Sequence, residues 1–220
     1  MRNERAEQHH YTGTTGRLIG LTGGIATGKS TVGALLVEQG AVLVDADDIA
    51  HKIYEPGSTA YREIVGKFGD SILLPDGRIN RQALGRLVFH DPGLRLALEE
   101  ITHPEIGLRL FSEIREQQEK NLVVVADIPL LFERNYQTIF DGVLLAWCPE
   151  ELQIERICSR DGLSATEALQ RIQAQMPVDE KRALASWVID TSQGLAQTRS
   201  QALLWWQAIT NELGRSPRRS

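Results

Sequence analysis

Residues Gly23-Gly24-Ile25-Ala26-Thr27-Gly28-Lys29-Ser30 form an unbroken G-x-x-x-x-G-K-[ST] run, and its flanks decide what it means. The short apolar stretch Leu18-Ile19-Gly20-Leu21 reads as a buried strand. From Ser30 to Glu38 the spacing of Val32, Leu35 and Leu36 predicts a helix, with Gly40 just beyond as a stop signal. A strand, a glycine loop and a helix N-terminus in that order make an anion cradle. Backbone N–H groups converge there and the helix dipole favours negative charge. In such a cradle Lys29 reaches the β- and γ-phosphates and the Ser30 hydroxyl sits on Mg²⁺. The run predicts binding of a nucleoside triphosphate together with its magnesium.

Composition bounds the setting. At 220 residues the chain can hold one α/β domain with a full core and a modest insertion. A net charge of −5 argues against a protein that wraps nucleic acid. Cys148 and Cys158 form no C-x-x-C, which fits reduced thiols in a cytoplasmic protein. The five histidines show no metal-ligand spacing. Residues 1–16 are polar and lack the apolar core of a signal peptide, so they read as a disordered extension. No run approaches the ~18 apolar residues of a membrane span. Residues 214–220 read as a short basic tail. The expectation is a cytoplasmic protein with no nucleic-acid, membrane or obligate protein partner.

Strand and helix signals alternate along the chain, as in a parallel sheet covered by helices on both faces. Ala41-Val42-Leu43-Val44, Leu122 to Ala126, Gly142 to Trp147 and Trp187-Val188-Ile189 supply four further strands, five in all. Between the second and third lie about seventy residues of helical pattern, far more than an ordinary crossover needs. Tyr61, Ile64, Val65 and Phe68 share a helix face. Asn80 caps a helix carrying Leu84, Leu87 and Val88, and Asp91-Pro92 starts another before Leu94, Leu98 and Ile101. This insertion is expected over the carboxyl ends of the strands, where open α/β sheets bind ligands.

Phosphoryl transfer calls for cations, a metal and one oriented carboxylate. Asp45 and Asp47 close the second strand and share a side if the chain stays extended. One can then take a proton from an attacking hydroxyl while the other orients it or holds a metal-bound water. The alternative is that these acids only cap a helix starting near Ile49, as Asp48 suits. Asp127, after its apolar run, has the look of a Walker B carboxylate and is the second candidate metal-binding residue beside Ser30. Gln153, Arg156 and Arg160 align on one helix face, and the two arginines suit a clamp on a triphosphate. Arg171 and Gln175 follow on a helix opened by the capping box Ser164-Ala165-Thr166-Glu167, and Asp161-Gly162 marks a possible hinge of a mobile lid. His103-Pro104 opens a helix, where the histidine either meets substrate or caps. Of Trp205 and Trp206, one is expected in the core and one as a packed surface anchor.

The segments Thr22 to Thr31, Asp45-Ala46-Asp47, Glu55-Pro56-Gly57, Gly77 to Arg81, Val88-Phe89 and His103-Pro104 resemble the dephospho-coenzyme A kinase family. So do Ile128-Pro129-Leu130-Leu131-Phe132-Glu133, Gln153-x-x-Arg156-x-x-x-Arg160-Asp161 and Ala185 to Asp190. The resemblance covers Arg17 to Leu213. It implies a P-loop fold of the nucleoside-monophosphate-kinase type, with a core over about 17–47 and 121–213, a coenzyme-A-binding helical insertion over about 48–120, and a lid over about 156–182. The implied activity is ATP-dependent phosphorylation of the ribose 3′-hydroxyl of dephospho-CoA, the last step of coenzyme A synthesis. The resemblance makes Asp47 the base and Lys29 and Arg160 its catalytic companions, with Arg156 and Arg160 on ATP. It assigns Asp45, Asp47, Arg81, His103, Pro129 and Leu130 to the acceptor. Ala26 and Thr27 depart from the Gly and Ser commoner in the family, which bears on loop flexibility. Two rivals stay open: another small-molecule P-loop kinase (nucleoside, gluconate or shikimate type), and a GTPase-like switch. The insertion and Ile128 to Leu131 argue against the first, and the missing N-K-x-D segment against the second.

Overall fold

A computed structural model describes residues 16–120 and 123–215, with side chains described to 212. Of the expected extension at 1–16 all but Gly16, and of the expected tail at 214–220 all but Gly214 and Arg215, lie outside the described residues.

Five strands form one parallel sheet: β1 (Arg17–Gly23), β2 (Val42–Asp45), β3 (Val123–Asp127), β4 (Gly142–Trp147) and β5 (Trp187–Asp190). Their order is β2-β3-β1-β4-β5, which puts the phosphate-loop strand at the centre. Ile19 pairs with Val125 on one side and with Gly142 on the other. The strands read as unbroken apolar runs because both faces are covered. Ile19, Leu21, Val125 and Leu144 pack beneath α1 (Lys29–Glu38) and α9 (Leu195–Arg215), against Val32, Leu36, Trp205 and Ile209. Leu18, Val124, Ala126 and Val143 face the opposite layer, against Leu110 and Ile114. Trp205 is core and Trp206 is packed against it at the surface, as the sequence predicts. Because α9 runs to Arg215, the first two residues of the expected basic tail are helical.

The insertion consists of α2 (Ala46–Lys52), α3 (Thr59–Phe68), α4 (Arg81–His90) and α5 (Pro92–Lys120). It has a small core of its own, built on Ile53, Ile64, Ile72 and Leu84. The caps are local and legible. Ser58 accepts from the Tyr61 N–H at 2.9 Å, Asn80 from the Ala83 N–H at 3.0 Å, and Asp91 from the N–H groups of Gly93 and Leu94.

His103-Pro104, expected to open a helix, instead lies inside α5, which runs unbroken for 29 residues. Proline deletes the N–H that would bond the carbonyl four residues back. The turns on both sides compensate by packing: Thr102 is buried with its hydroxyl donating to the Leu98 carbonyl at 2.8 Å, and Leu110 and Ile114 anchor the helix to the sheet. Beyond the sheet centre come α6 (Glu150–Asp161), α7 (Ala165–Gln173) and α8 (Val178–Leu184). The capping box at Ser164 and Glu167 forms as expected.

Candidate active site

A cleft of about 1260 Å³ opens at the carboxyl ends of the strands. Sheet order sorts its lining. Residues following β2 and β3 lie on one side of the phosphate loop and residues following β4 and β5 on the other.

Every residue from Gly23 to Thr31 lines the cleft. Two positive φ values shape the turn: Gly28 at 83° and Ala26 at 60°. The second is uncommon for a residue with a Cβ and costs of order 1 kcal/mol, so something must hold it. Arg156 Nη1 donates to the Ala26 carbonyl at 3.1 Å, and Ile25 N–H donates to Gln175 Oε1 at 2.9 Å. Thr27 is fully buried; its hydroxyl donates to the Gly24 carbonyl at 2.9 Å, and its carbonyl accepts from the Thr191 hydroxyl at 2.7 Å. A Cβ on Gly24 would stand 2.8 Å from Gln153 Oε1, so that buried glutamine backs the loop. The Ile25 N–H is thus spent on protein, a departure from a loop whose donors all turn inward. Among the described residues the N–H groups of Gly28, Lys29, Ser30 and Thr31 have no backbone partner, which leaves the helix terminus as the anion cradle.

Lys29 Nζ pairs with Asp127 Oδ1. Burial pushes the Asp127 carboxyl above its ordinary range; Lys29 pulls it back, and the charges of Asp45 and Asp47 push it further up. The three carboxylates therefore share one field at the ends of β2 and β3, where Asp45 and Asp127 are paired in register.

The chain does not stay extended past Asp45. That residue is the N-cap of α2: its Oδ1 accepts from the N–H groups of Asp47 at 2.8 Å and Asp48 at 3.2 Å. The capping role expected of Asp48 thus belongs to Asp45, while Asp47 sits in the first helical turn and lines the cleft. Asp45 does not line the cleft, and neither does Arg81. Arg81 begins α4 and holds its guanidinium over the Tyr54 ring, 5.3 Å from the centroid, inside the insertion. His103, Pro129 and Leu130 do line it.

Arg156 and Arg160 also reach the cleft, on the β4 side. Arg156 is committed to the protein: besides Ala26 it donates to the Thr191 hydroxyl at 3.2 Å and the Thr191 carbonyl at 2.8 Å. Arg160 forks onto Asp161 at 2.7 and 3.0 Å, and Arg171 joins the same carboxylate at 2.8 Å. The hydrogen bond from Arg160 holds the Asp161 carboxyl low. Gly162 ends α6 with φ 68°, where the hinge is expected. The expected lid region at 156–182 packs on the phosphate loop: Ile157, Ala168 and Ile172 cluster with Ile25 and Ala26.

Sequence reading missed two residues here. Lys181 is fully buried; its ammonium meets Glu133 Oε1 at 2.8 Å and the Pro129 carbonyl at 3.0 Å. Glu133 Oε1 also accepts from the Met176 N–H at 3.1 Å, so the far end of the lid region is tied to the Pro129–Leu130 wall. The available signal was position: Lys181 falls one turn after Val178 on the buried face of α8. Arg134, lining the cleft beside His103, was missed as well.

A sequence model of the dephospho-CoA kinase family matches residues 17–197. The chain belongs to that family. A dephospho-CoA kinase from Symbiobacterium thermophilum is 44% identical over 91% of this chain and 84% of its own. The crystal structure of TT1252 from Thermus thermophilus superposes with a TM-score of 0.76 at 37% identity, over 90% of this chain and 98% of that one. A dephospho-CoA kinase from Campylobacter jejuni gives 0.65 at 28% identity, over 89% and 98%. The fold and the kinase family expected from the motifs are thus in place. Among the described residues no helix is long and apolar enough to cross a membrane.

Proposed function

We propose that this chain transfers the γ-phosphoryl group of ATP to the ribose 3′-hydroxyl of dephospho-CoA, yielding coenzyme A and ADP. The observation that carries the reading is the division of one cleft by the sheet order. The phosphate loop is central, Asp47 stands on the β2 side, and the arginines stand on the β4 side. A donor and an acceptor can therefore meet over Lys29 from opposite directions.

Lys29 leaves Asp127 to neutralise the β- and γ-phosphates, and the four unpaired N–H groups at the start of α1 cradle them. Asp47 accepts the proton of the attacking hydroxyl, and Asp45 acts through it by fixing the α2 turn. Arg160, released from Asp161, stabilises charge on the transferred group, and Arg156 holds the phosphate loop in shape for ATP. Ser30 and Asp127 would hold Mg²⁺, and the donor set fits: a hydroxyl at the cradle and a buried carboxylate paired with the neighbouring Lys29. Bound there with ATP, such an ion would supply positive charge against the phosphates. His103, Pro129 and Leu130 contact the acceptor, whereas Arg81 supports the insertion. Residues 48–120 serve as the acceptor-binding unit and 156–182 as the lid. Two free cysteines suit the reducing cytoplasm in which this reading puts the chain.

The test is ADP release against a panel of acceptors: dephospho-CoA, nucleosides, shikimate and gluconate. Phosphate on the 3′-oxygen of dephospho-CoA, located by phosphorus NMR, is the expected product. Equal ADP release without any acceptor, or faster release with another one, overturns the reading.

A further inference from the structure

Four long cationic side chains line the cleft: Lys29, Arg134, Arg156 and Arg160. Three are engaged by protein oxygens. Lys29 has Asp127, Arg156 has the carbonyls of Ala26 and Thr191, and Arg160 has Asp161. Among the described residues the Arg134 guanidinium has no oxygen partner. Its contact is with His103 Nδ1, at 3.2 Å.

That contact is directional. A guanidinium only donates, so Nδ1 must accept and the imidazole proton must sit on Nε2. Burial holds the His103 imidazole below its ordinary pKa; the Arg134 charge adds to this and Glu99 opposes it. At neutral pH the ring is thus an uncharged acceptor that aims the guanidinium. The two residues come from different elements. His103 belongs to α5, while Arg134 closes the turn after β3, with its N–H bonded to the Leu130 carbonyl at 3.0 Å. Both stand on the Asp47 side of the phosphate loop, remote in sheet order from the β4 and β5 residues assigned to ATP.

We propose that Arg134, aimed by His103, binds the 5′-diphosphate of the acceptor and selects acceptors that carry one. The proposal rests on the reading of the acceptor as dephospho-CoA, an adenosine whose 5′-oxygen bears a diphosphate leading to pantetheine. A planar guanidinium fork matches two phosphate oxygens at once, which an ammonium cannot do. The anchor also has a geometric purpose. Held at its 5′ end, the ribose has less freedom, and its 3′-hydroxyl is presented to Asp47 rather than to bulk water.

The experiment is calorimetric titration of the full chain, with the nucleotide site filled by magnesium and a non-hydrolysable ATP analogue. Dephospho-CoA and adenosine are titrated into wild type, Arg134→Gln, Arg134→Lys and His103→Gln. Arg134→Gln should weaken dephospho-CoA by about tenfold or more, the scale of a charge-assisted hydrogen bond, and adenosine by less than about twofold. Arg134→Lys should fall between, keeping the charge without the fork, and His103→Gln should show a smaller loss of the same selectivity. Equal weakening of both ligands would make Arg134 a shaping residue and overturn the proposal. So would unchanged affinity for both. Product formation by wild type is assayed in parallel. Its absence would remove the reading of the reaction, while the ratio of affinities would still decide the diphosphate contact.

Discussion

The two sides of the cleft are built on opposite plans. On the β4 and β5 side the polar groups are consumed by the protein: Arg156 and the Thr191 hydroxyl are bonded to the phosphate loop and to each other. On the β2 and β3 side Asp47 is exposed to the cleft, and among the described residues the Arg134 guanidinium meets only an imidazole. A side whose donors are already satisfied keeps its shape before any ligand arrives. A side with unspent charge gains its interactions only on binding, so the difference separates preorganisation from recognition.

Three substitutions probe that contrast, beginning with the largest effect. Lys29→Ala should reduce phosphoryl transfer to background, because the charge nearest the β- and γ-phosphates is gone. It should also lower stability, since Asp127 is left buried without its cation. Circular dichroism and single-turnover ADP formation measure the two. A folded Lys29→Ala protein with wild-type turnover would break the assignment of the central loop to ATP.

Asp47→Asn keeps the shape and a hydrogen-bonding oxygen but loses the basic site. The rate should fall roughly 10²–10⁴-fold, towards the lower end because phosphoryl transfer has a loose transition state. ATP affinity should stay near wild type, as the proposed function gives Asp47 to the acceptor. Retention of more than about a tenth of the rate would make Asp47 a positioning residue.

Lys181→Met acts where the two plans are joined. The Glu133 carboxylate would lose its cation, and its Oε2 already has no hydrogen-bond partner among the described residues. The expected cost is about 3 kcal/mol, near the lower end for breaking a buried pair because Glu133 retains some exposure. Calorimetry should show this as a drop of roughly 6–12 °C in Tm. The double replacement Lys181→Met with Glu133→Leu should recover most of it. An unchanged Tm in the single variant would mean that the pair does not hold the lid region to the acceptor wall.

What could be read from sequence was what is local. The phosphate loop, the caps at Asn80 and Asp91, the box at Ser164 and the strand runs each depend on neighbours a few residues away. The sites that misled depend on distant packing. Pro104 looked like a helix start, because its tolerance inside α5 comes from residues that the sheet buries. Asp45 and Asp47 looked paired, because nothing before the turn tells where β2 yields to α2. Lys181 sits in a run of charged and small residues, and only the fold places an oxygen cage around its ammonium. Arg134 carries no periodic signal at all; its meaning comes from a histidine on α5, distant in sequence.

The hydroxyl of Thr191 has a consequence in time as well as in space. It joins residue 27 to residue 191 and takes a bond from residue 156 between them, so the phosphate loop is braced by the segment that follows β5. As the chain emerges from the ribosome, β1 and its glycines are made well before residues 156, 175 and 191, which brace the loop from afar. A nascent chain ending before Trp187 would carry the whole motif and grip nucleotide poorly. Nucleotide binding is thus a late acquisition, and its appearance reports that synthesis has reached the end of the sheet.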